Sequence, residues 1–278
     1  MSLPDFLHGA IDLHVHSAPD IDPRRYDDFD LAREAAKAGM AAVLIKSHQA
    51  STVERAWLVS KVVTGIQVFG GLVLNETVGG LNPAAVRLAL QLGAKEVWMP
   101  TRSSRNHRSR HGNPGGIAIQ DAECRLLPQV EEILRLLAEG DCVLGTGHLA
   151  PEESAALIHR AREVGVRKIL VTHPEWSATY FPIELQRQLA AGGGVFFERC
   201  FVSTTHRCGH TPFETIERAI EAVGVESTIL SSDLGQPDTP PPVDGLRLYA
   251  ERLRSSGFSP EQLRCMMRDN PRSLLLGS

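Results

Sequence analysis

Short apolar runs and amphipathic segments alternate along the whole chain. Each apolar run is bounded by Gly, Asp or other polar residues, which is typical of buried strands in a parallel sheet. The runs cover residues 10–15, 41–46, 67–74, 95–100, 141–147, 168–172, 194–201 and 227–232. A helix-like segment follows each run, so the pattern predicts eight β–α units.

Several of the intervening segments carry helix start and stop signals. Residues 128–140 have apolar side chains at helical spacing and end in glycine, and residues 151–165 begin with proline and end in glycine. Asn82–Pro83 is typical of a helix N-cap and first residue. Capping-box patterns at 211–214 and 259–262 predict two further helix starts.

Alternation of strands and helices predicts a parallel sheet in the α/β class. Eight units within 278 residues favour a closed (β/α)8 TIM barrel over an open doubly wound sheet. No GxGxxG motif follows the first run, as a dinucleotide-binding fold would require. We therefore predict a single barrel domain over residues 1–278. A basic stretch at 101–117 and a proline-rich stretch at 235–243 are expected to form loops.

Composition narrows the function classes. A hydrophobic content of 42% excludes a disordered chain, and a net charge of −4 gives no overall attraction to nucleic acid or to anionic membranes. The five cysteines show no CxxC spacing, which is typical of a reducing compartment. The N-terminus has no signal-peptide pattern, and no apolar run reaches membrane-spanning length. We expect a cytoplasmic protein with a small-molecule substrate, whose outer helices offer surfaces for a homo-oligomer.

Histidines stand at the ends of several predicted strands. His14 and His16 end the first run, and residues two apart on a strand share one face. His148 and His173 end the fifth and sixth runs, and Asp233 ends the eighth. The carboxyl ends of the strands of a (β/α)8 barrel form the face that carries active sites. We therefore expect these five side chains to converge.

Imidazole and carboxylate ligands indicate a metal centre. Together they suit zinc, our first expectation, and also manganese, iron or nickel. A divalent ion lowers the pKa of its water from about 15.7 towards about 7, which supplies a nucleophile at neutral pH. Asp233 is placed to take the proton and pass it to a leaving group. The prediction is one or two metal ions per chain.

The ordered set His14, His16, His148, His173 and Asp233 resembles the amidohydrolase superfamily of metal-dependent hydrolases. The C-terminal sequence NPRSLLLG is similar to the Asn-Pro-x-x-Leu-Leu-Gly ending of many members. The resemblance implies that the first two histidines bind a buried metal. It implies that the next two bind a second metal or polarise the substrate, and that the aspartate is both ligand and general base. It does not assign a substrate.

The predicted fourth strand departs from the pattern of this superfamily. Members with two metals usually have a bridging carboxylated Lys or a Glu at its end, where this chain has residues 98–101, WMPT. Lys46, at the end of the second run, is the alternative source of a bridge. It can instead be a hydrogen-bonded lysine at the open end of the barrel, where the strands end, or a cation that faces an anionic substrate.

A second resemblance involves the start of the chain. The sequence DLHVHS and residues 38–48 are similar to the opening of the polymerase-and-histidinol-phosphatase (PHP) phosphoesterases. Those enzymes have Asp before a histidine, where this chain has Ser47 before His48. Loss of that Asp counts against a three-metal phosphatase site. His48 is then either an additional metal ligand or a hydrogen-bond donor behind the ligands.

Two further polar sets are candidates for substrate contact. The basic stretch has no acidic residue among positions 101–111, and Arg102 and Arg105 stand closest to the predicted strand end. Arginine binds carboxylate or phosphate through two hydrogen bonds, so one interpretation is that this pair selects an anionic substrate; the alternative is a solvated surface loop or a contact to a neighbouring subunit. Glu198 and Arg199 end the seventh run, and strand alternation alone does not tell which faces the mouth.

These features predict a metal-dependent hydrolase of the amidohydrolase type. Metal-activated water would attack an amide, ester, lactone or amidine bond of a small substrate, with Asp233, His173 and His148 as catalytic residues. The alternatives are a metal-dependent decarboxylase or lyase on the same barrel and a PHP-like phosphoesterase. A binding protein without catalytic activity on a retained barrel is a further alternative.

Overall fold

The computed structural model describes residues 6–277, which form the predicted (β/α)8 barrel. Its eight strands are parallel, and each pairs with the next strand along the chain. The strands are Ile11–Val15 (β1), Ala42–Ile45 (β2), Gln67–Val73 (β3), Glu96–Trp98 (β4), Val143–Gly145 (β5), Ile169–Thr172 (β6), Val195–Cys200 (β7) and Thr228–Ser231 (β8). Each lies inside one of the predicted apolar runs, so the fold prediction is confirmed.

Helices follow the strands and cover the outside of the barrel. They are Asp28–Lys37 (α1), Val53–Ser60 (α2), Pro83–Gln91 (α3), Arg105–Arg110 (α4), Pro128–Glu139 (α5), Pro151–Val164 (α6), Ile183–Ala191 (α7), Phe213–Val223 (α8), Pro242–Ser255 (α9), Pro260–Arg264 (α10) and Asn270–Leu276 (α11). A π-helical segment, Cys265–Asp269, joins the last two. Among residues 6–277 no helix has both the length and the apolar character to cross a bilayer.

The barrel closes where the first strand meets the end of the last. The Asp233 N–H donates to His14 O at 2.7 Å, and the His16 N–H donates to Leu234 O at 2.8 Å. The buried Asp12 carboxylate adds a bond, since it accepts from the Ser232 N–H at 3.0 Å. Two residues expected at the metal centre, His14 and Asp233, are therefore bound to each other through the backbone.

Buried apolar side chains form separate clusters inside and outside the barrel. Two clusters join strand residues to the surrounding helices, for example Val43 to Leu31 of α1 and Leu144 to Ile133 of α5. A third is made mainly of strand residues such as Leu44 and fills the barrel interior. Tight packing of this kind holds the strand ends in fixed positions, which is what a site built on them requires.

Two local predictions need correction. The basic stretch is not all loop, because α4 forms within it, with the Ser104 hydroxyl accepting from the His107 N–H at 3.0 Å. The capping box at 211–214 is wrong. The Thr211 N–H donates to Ser203 O at 2.8 Å, which holds Thr211 in the preceding loop, and α8 begins without a side-chain cap. The box at 259–262 is confirmed.

Candidate metal centre

Four predicted ligands meet at the carboxyl ends of β1, β6 and β8. His14 Nε2 and His16 Nε2 lie 3.0 and 2.9 Å from Asp233 Oδ1, and His173 Nε2 lies 3.3 Å from Asp233 Oδ2. All four residues are buried. We call His14, His16, His173 and Asp233 the floor: the last three line the buried end of the cavity described below, and the fully buried His14 contacts Asp233. The structure thus brings together four of the five residues expected to converge.

The backbone departs from regular strand geometry at three of the four floor residues. His173 and Asp233 are in the left-handed region, with φ of 52° and 49°. Outside glycine this conformation costs roughly 1–2 kcal/mol, and such residues cluster at functional sites. The register between β1 and β2 shifts between Asp12 and Val15, and this bulge includes His14. Bulges next to active sites redirect side chains.

Glu198 of β7 holds the inner side of His14. The His14 Nδ1–H donates to Glu198 Oε2 at 3.1 Å, and the Ser231 hydroxyl donates to Glu198 Oε1 at 3.0 Å. Burial alone would raise the pKa of Glu198, but His14 and the hydrogen bond from it lower that pKa below its ordinary value. An ionised carboxylate at Nδ1 leaves Nε2 as the atom that His14 can offer to a ligand.

Burial and neighbouring charges set the protonation of the floor. Burial lowers the pKa of His16 to about 3 and that of His173 to about 4, so both rings are neutral at pH 7. Burial also acts against charging of His14, but Asp233 and Glu198 outweigh it and raise its pKa. Burial would raise the pKa of Asp233, yet His14 and hydrogen bonds from His14 and His16 lower it well below its usual range.

The floor fits a divalent metal ion. Three imidazole nitrogens and one carboxylate are a ligand set that zinc and several other divalent ions accept. His16 and His173 are neutral, as metal ligation requires, and the Nδ1 atoms of both lack a hydrogen-bond partner within residues 6–277. In His14 the carboxylate of Glu198 holds Nδ1–H, so Nε2 is the atom that would face an ion, and binding would displace the proton that the raised pKa favours there.

Cys200 adjoins the floor but lies on another side of His14. One potential ligand atom from each of His14, His173, Cys200 and Asp233 lies within 4.8 Å of the others. Cys200 Sγ, however, is 3.8 Å from His14 Nδ1, the nitrogen that donates to Glu198. Burial raises the pKa of this thiol well above its ordinary value. We therefore assign the ligand set to the floor rather than to the thiol.

The side chain of Lys46 contacts His14 of the floor. Its Nζ lies 2.9 Å from His14 Nε2 and 5.0 Å from the centre of the Trp98 ring. Burial lowers the pKa of Lys46, which favours the neutral amine. Trp98, at the end of β4, is buried next to Lys46, and its ring centroid is 6.2 Å from that of His14. An indole therefore lies near the floor at the end of β4, the position at which the superfamily resemblance raised the question of a bridging carboxylate.

His148 and His48 stand beside the floor rather than in it. His148 follows β5, its ring centroid is 5.6 Å from that of His173, and its Nδ1 lies 2.9 Å from Nδ1 of His107 in α4. His48 follows β2 and stacks on His16 with 5.0 Å between ring centroids. Burial lowers the pKa of both His48 and His148 well below the ordinary value. Both rings are therefore neutral at pH 7.

The floor opens into a cavity of about 510 Å³. One wall is aromatic, because His107 stacks on both His111 and His148, with centroid distances of 4.2 and 4.9 Å, and Trp176 stands edge-on to His148 at 5.1 Å. Such a wall presents flat faces to a bound molecule. Cavities of this size hold small ligands and are lined by aromatic residues with a few polar groups.

Arginines surround the entrance, and each pairs with an aspartate. Arg24 donates to Asp20 at 2.9 Å, Arg102 donates to Asp22 at 2.6 Å, and Arg207 bonds to Asp238. We call Arg24, Arg102 and Arg207 the rim. Arg102, the rim arginine that belongs to the basic stretch, is thus paired with an acid from another loop.

The two arginines expected to contact substrate have different places. Arg102 lines the cavity. Arg105 is absent from the cavity lining formed by the described residues, and it donates to Glu153 of α6 at 2.9 Å with its side chain 54% exposed. The geometry therefore brings Arg102 to the cavity and turns Arg105 towards α6.

The structure decides the orientation of β7 and adds residues that the sequence did not single out. Glu198 points inward to His14, whereas Arg199 points outward and pairs with Glu175 and Gln186. The alternating pattern of β7 allowed either choice. His107 was also missed as part of the cavity wall, because its position depends on a helix inside a stretch expected to be loop.

A family model and solved structures match the chain. The sequence model of DUF6282, a family of unknown function, matches residues 9–198. That range is more than half of the chain, and it includes His14, His16, His148 and His173. A search among curated proteins finds no match.

Solved structures with this fold match almost the entire chain. An amidohydrolase from Pseudomonas aeruginosa is 14% identical, with a TM-score of 0.69 over 98% of this chain and 96% of that one. A candidate 2-pyrone-4,6-dicarboxylic acid hydrolase from Pseudomonas putida is 17% identical, with a TM-score of 0.62 over 96% and 97%. The 2,6-dihydroxybenzoate decarboxylase from Rhizobium is 13% identical, with a TM-score of 0.55 over 96% and 98%. The expected likeness to amidohydrolase-type TIM barrels is thereby confirmed at the level of the fold.

Proposed function

We propose that this chain, which belongs to the DUF6282 family, is a metal-dependent hydrolase of the amidohydrolase type. One observation carries the proposal: three imidazoles and a carboxylate converge at the strand ends that form the catalytic face of such barrels. The likeness of the fold to an amidohydrolase and to a candidate pyrone hydrolase supports it. The substrate is a small molecule, in keeping with a cavity of about 510 Å³.

The floor would hold the ion through His14, His16 and His173 Nε2 and one oxygen of Asp233. We propose zinc, which accepts nitrogen and oxygen ligands in this combination, with manganese, iron or nickel as alternatives. When bound, the ion lowers the pKa of a water molecule towards neutrality and polarises a substrate oxygen. One ion per chain is our proposal, and Lys46 is the residue that would provide a bridge if a second ion binds.

Asp233 handles the proton of the attacking water. Its Oδ1 faces His14 and His16, whereas Oδ2 lies 3.3 Å from His173 Nε2. We assign proton acceptance to Oδ2, because Oδ1 is the oxygen enclosed by the ligands. The same oxygen then returns the proton to the leaving group, which is an amine, an alcohol or the nitrogen of an amidine. The low pKa of Asp233 keeps it ionised before the reaction.

His148 is the proposed partner of the substrate oxygen. His148 lines the cavity beside His173 and is neutral, so it can donate one N–H to an oxygen on which negative charge develops. His107 lies against its other nitrogen at 2.9 Å and orients the ring. Arg102, at the entrance, would exchange Asp22 for an anionic group of the substrate.

A decarboxylase is the second candidate. The observation in its favour is the fold shared with 2,6-dihydroxybenzoate decarboxylase, together with a flat aromatic wall beside the floor. A divalent ion that polarises a substrate oxygen serves both reactions, so the floor does not separate them. The two differ in whether the product contains an oxygen atom from water.

The first test measures metal content per chain by elemental analysis of protein purified without a His tag. We expect at least one equivalent of zinc or another divalent ion in the wild type and a loss in His16→Gln. The exposed His159 on α6 provides the matched control, and His159→Gln should retain the wild-type content. Absence of metal after incubation with excess ion would overturn the proposal.

The second test measures turnover in 18O-labelled water on a panel of amides, lactones, amidines, aryl phosphates and aromatic carboxylates. A hydrolase incorporates one labelled oxygen into its product, a decarboxylase releases CO2 and an organic product that gains no labelled oxygen, and a PHP-like phosphoesterase releases labelled phosphate. Metal binding without turnover on the panel would favour the binding-protein alternative.

Location and partners remain proposals. We propose that the chain acts in the cytoplasm, in keeping with its five free thiols. We also propose that it acts without nucleic acid or membrane. The homo-oligomer expected from the outer helices stays a prediction, which the molar mass in solution would test.

A further inference from the structure

We propose that His48 is a neutral hydrogen-bond donor to the substrate, with its proton fixed on Nε2, and that it is not a metal ligand. This inference rests on the proposed function and adds a catalytic residue to it. The sequence left two roles open for His48, and a chain of hydrogen bonds from β3 and β4 decides between them.

The chain begins with the amide of Asn75, whose orientation is set by backbone groups. Asn75 Oδ1 accepts from the N–H groups of Thr101 at 2.9 Å and Ser103 at 3.2 Å. Asn75 Nδ2 donates to His48 O at 3.0 Å. A backbone N–H can only donate and a backbone carbonyl can only accept, so the amide cannot be flipped. Its second N–H therefore points to Thr101 Oγ1, at 2.7 Å.

The orientation of the Asn75 amide fixes the direction of the hydrogen bond between the Thr101 hydroxyl and His48. The hydroxyl accepts from Asn75 Nδ2 and lies 2.8 Å from His48 Nδ1. Among residues 6–277, His48 Nδ1 is the acceptor found for the single hydroxyl proton of Thr101. The hydroxyl therefore donates to Nδ1, which must carry the lone pair. In a neutral imidazole the proton then lies on Nε2.

Nε2 of His48, the nitrogen that carries the hydrogen in the neutral ring, faces the cavity. His48 lines the cavity together with His16, His148, His173 and Asp233, and it stacks on His16 at 5.0 Å. No hydrogen bond among the described residues uses its Nε2. A nitrogen that carries a hydrogen has no lone pair for a metal, so His48 presents a donor beside the floor. Its place suits a carbonyl or carboxylate oxygen of a substrate held there.

A neutral donor of this kind is valuable where charge develops. It stabilises negative charge on an oxygen without being an acid strong enough to protonate it fully. Because Asn75 and Thr101 hold the ring by buried bonds, the donor needs no reorganisation during the reaction. Loss of one such donor typically lowers kcat about 10²–10³-fold.

Three measurements test the inference, and two of them do not depend on activity. Long-range 1H–15N correlation spectra of zinc-loaded, 15N-histidine-labelled protein report which nitrogen of His48 carries the proton, with the signal assigned by its loss in His48→Gln. We expect a proton on Nε2. Thr101→Val removes the donated bond and should increase the Nδ1-protonated share, whereas Thr101→Ser should retain the wild-type spectrum.

The second measurement is metal content. We expect His48→Gln to bind as much metal as the wild type and as His159→Gln. The third is kinetics: His48→Ala should lower kcat about 10²–10³-fold. His48→Gln should recover much of this loss, because its amide N–H reaches a similar point.

A proton on Nδ1, or a lost metal equivalent in His48→Gln, would overturn the inference. Absence of any substrate would instead count against the proposed function, and the spectra and metal content would still decide the role of His48.

Discussion

The floor and the rim of the cavity use the same kinds of residue in opposite ways. In the floor, three imidazoles share one carboxylate, and their ligand atoms point to a common centre. At the rim, each arginine bonds to an aspartate, and Asp22 lies near both Arg102 and Arg24, so opposite charges stand side by side. The floor is buried, whereas at the rim the side chains of Arg24 and Asp20 are buried and the pairs of Arg102 and Arg207 are partly exposed. Convergence, rather than the number of charged residues, marks the part of this cavity where we propose the reaction takes place.

The largest effect is expected from Asp233→Asn in the floor. The amide keeps the shape but is a far weaker base and a poorer ligand. We expect kcat to fall by about 10²–10⁴-fold from the loss of proton transfer alone, together with lower metal content. Steady-state kinetics and elemental analysis measure both. Activity close to the wild type would show that the convergence at Asp233 is not catalytic.

Buried and exposed ion pairs provide the next contrast. Arg199 is fully buried against Glu175, behind the loop that carries His173 and Trp176. Removal of one partner from a buried pair costs about 3–5 kcal/mol of the free energy of unfolding, so we expect that loss in Arg199→Met. Arg102→Met breaks a pair with side chains 44% and 37% exposed, and about 0–1 kcal/mol is expected. Urea unfolding measures both, and equal losses would contradict the contrast.

Glu198→Gln tests the support beneath the floor. The ionised carboxylate fixes the tautomer of His14, and loss of such a partner typically lowers metal affinity 10–100-fold. Glu96→Gln is the matched control. Glu96 is equally buried inside the barrel, but neither of its oxygens has a hydrogen-bond partner within residues 6–277. Competition with a chelator should show weaker zinc binding in the first variant only.

Glu96, which lies near Glu198, also predicts how the free energy of unfolding depends on pH. Burial and the nearby Glu198 raise the pKa of Glu96 well above its ordinary value, so the folded chain keeps this proton to a higher pH than the unfolded chain does. Its contribution to stability is therefore present in acid and is lost as the pH rises through the folded-state pKa. Glu96→Gln should raise the free energy of unfolding at pH 8 relative to wild type, by more than at pH 5. A pH-independent difference would refute this.

The smallest effect is expected at the rim. Arg102→Ala should raise KM for an anionic substrate several-fold, on the order of 1 kcal/mol for a partly exposed pair, and leave kcat nearly unchanged. Arg105→Ala is the control, because that side chain pairs with Glu153 outside the cavity lining. An unchanged KM in Arg102→Ala would remove the rim from substrate selection.

The floor was predictable from the sequence because strand ends have fixed places in a barrel. Once the eight apolar runs are recognised, His14, His16, His173 and Asp233 must lie on one face. The rim was not predictable in the same way. Arg102 and Asp22 are 80 residues apart and lie on separate loops, so nothing local indicates that they pair.

The residues that support the floor were predictable only in part. Glu198 was recognised as a strand-end residue, but alternation could not tell its direction from that of Arg199. The tautomer of His48 depends on Asn75 and Thr101 from two other strand ends. Their hydrogen bonds form only when three neighbouring strands are in register, and composition or spacing does not reveal them.

Closure of the barrel between β1 and β8 has a consequence for how the chain folds. Asp12 and Ser232, whose bond helps to seal it, are 220 residues apart. Contacts this distant in sequence are slow to form, because much of the chain must be ordered before its ends meet. His14 and Asp233 are on the two sides of this seam, so an ion they share would bind the closed barrel and not its open precursors. Metal would then stabilise the last native junction by mass action, and its affinity would report whether the first and last strands have met.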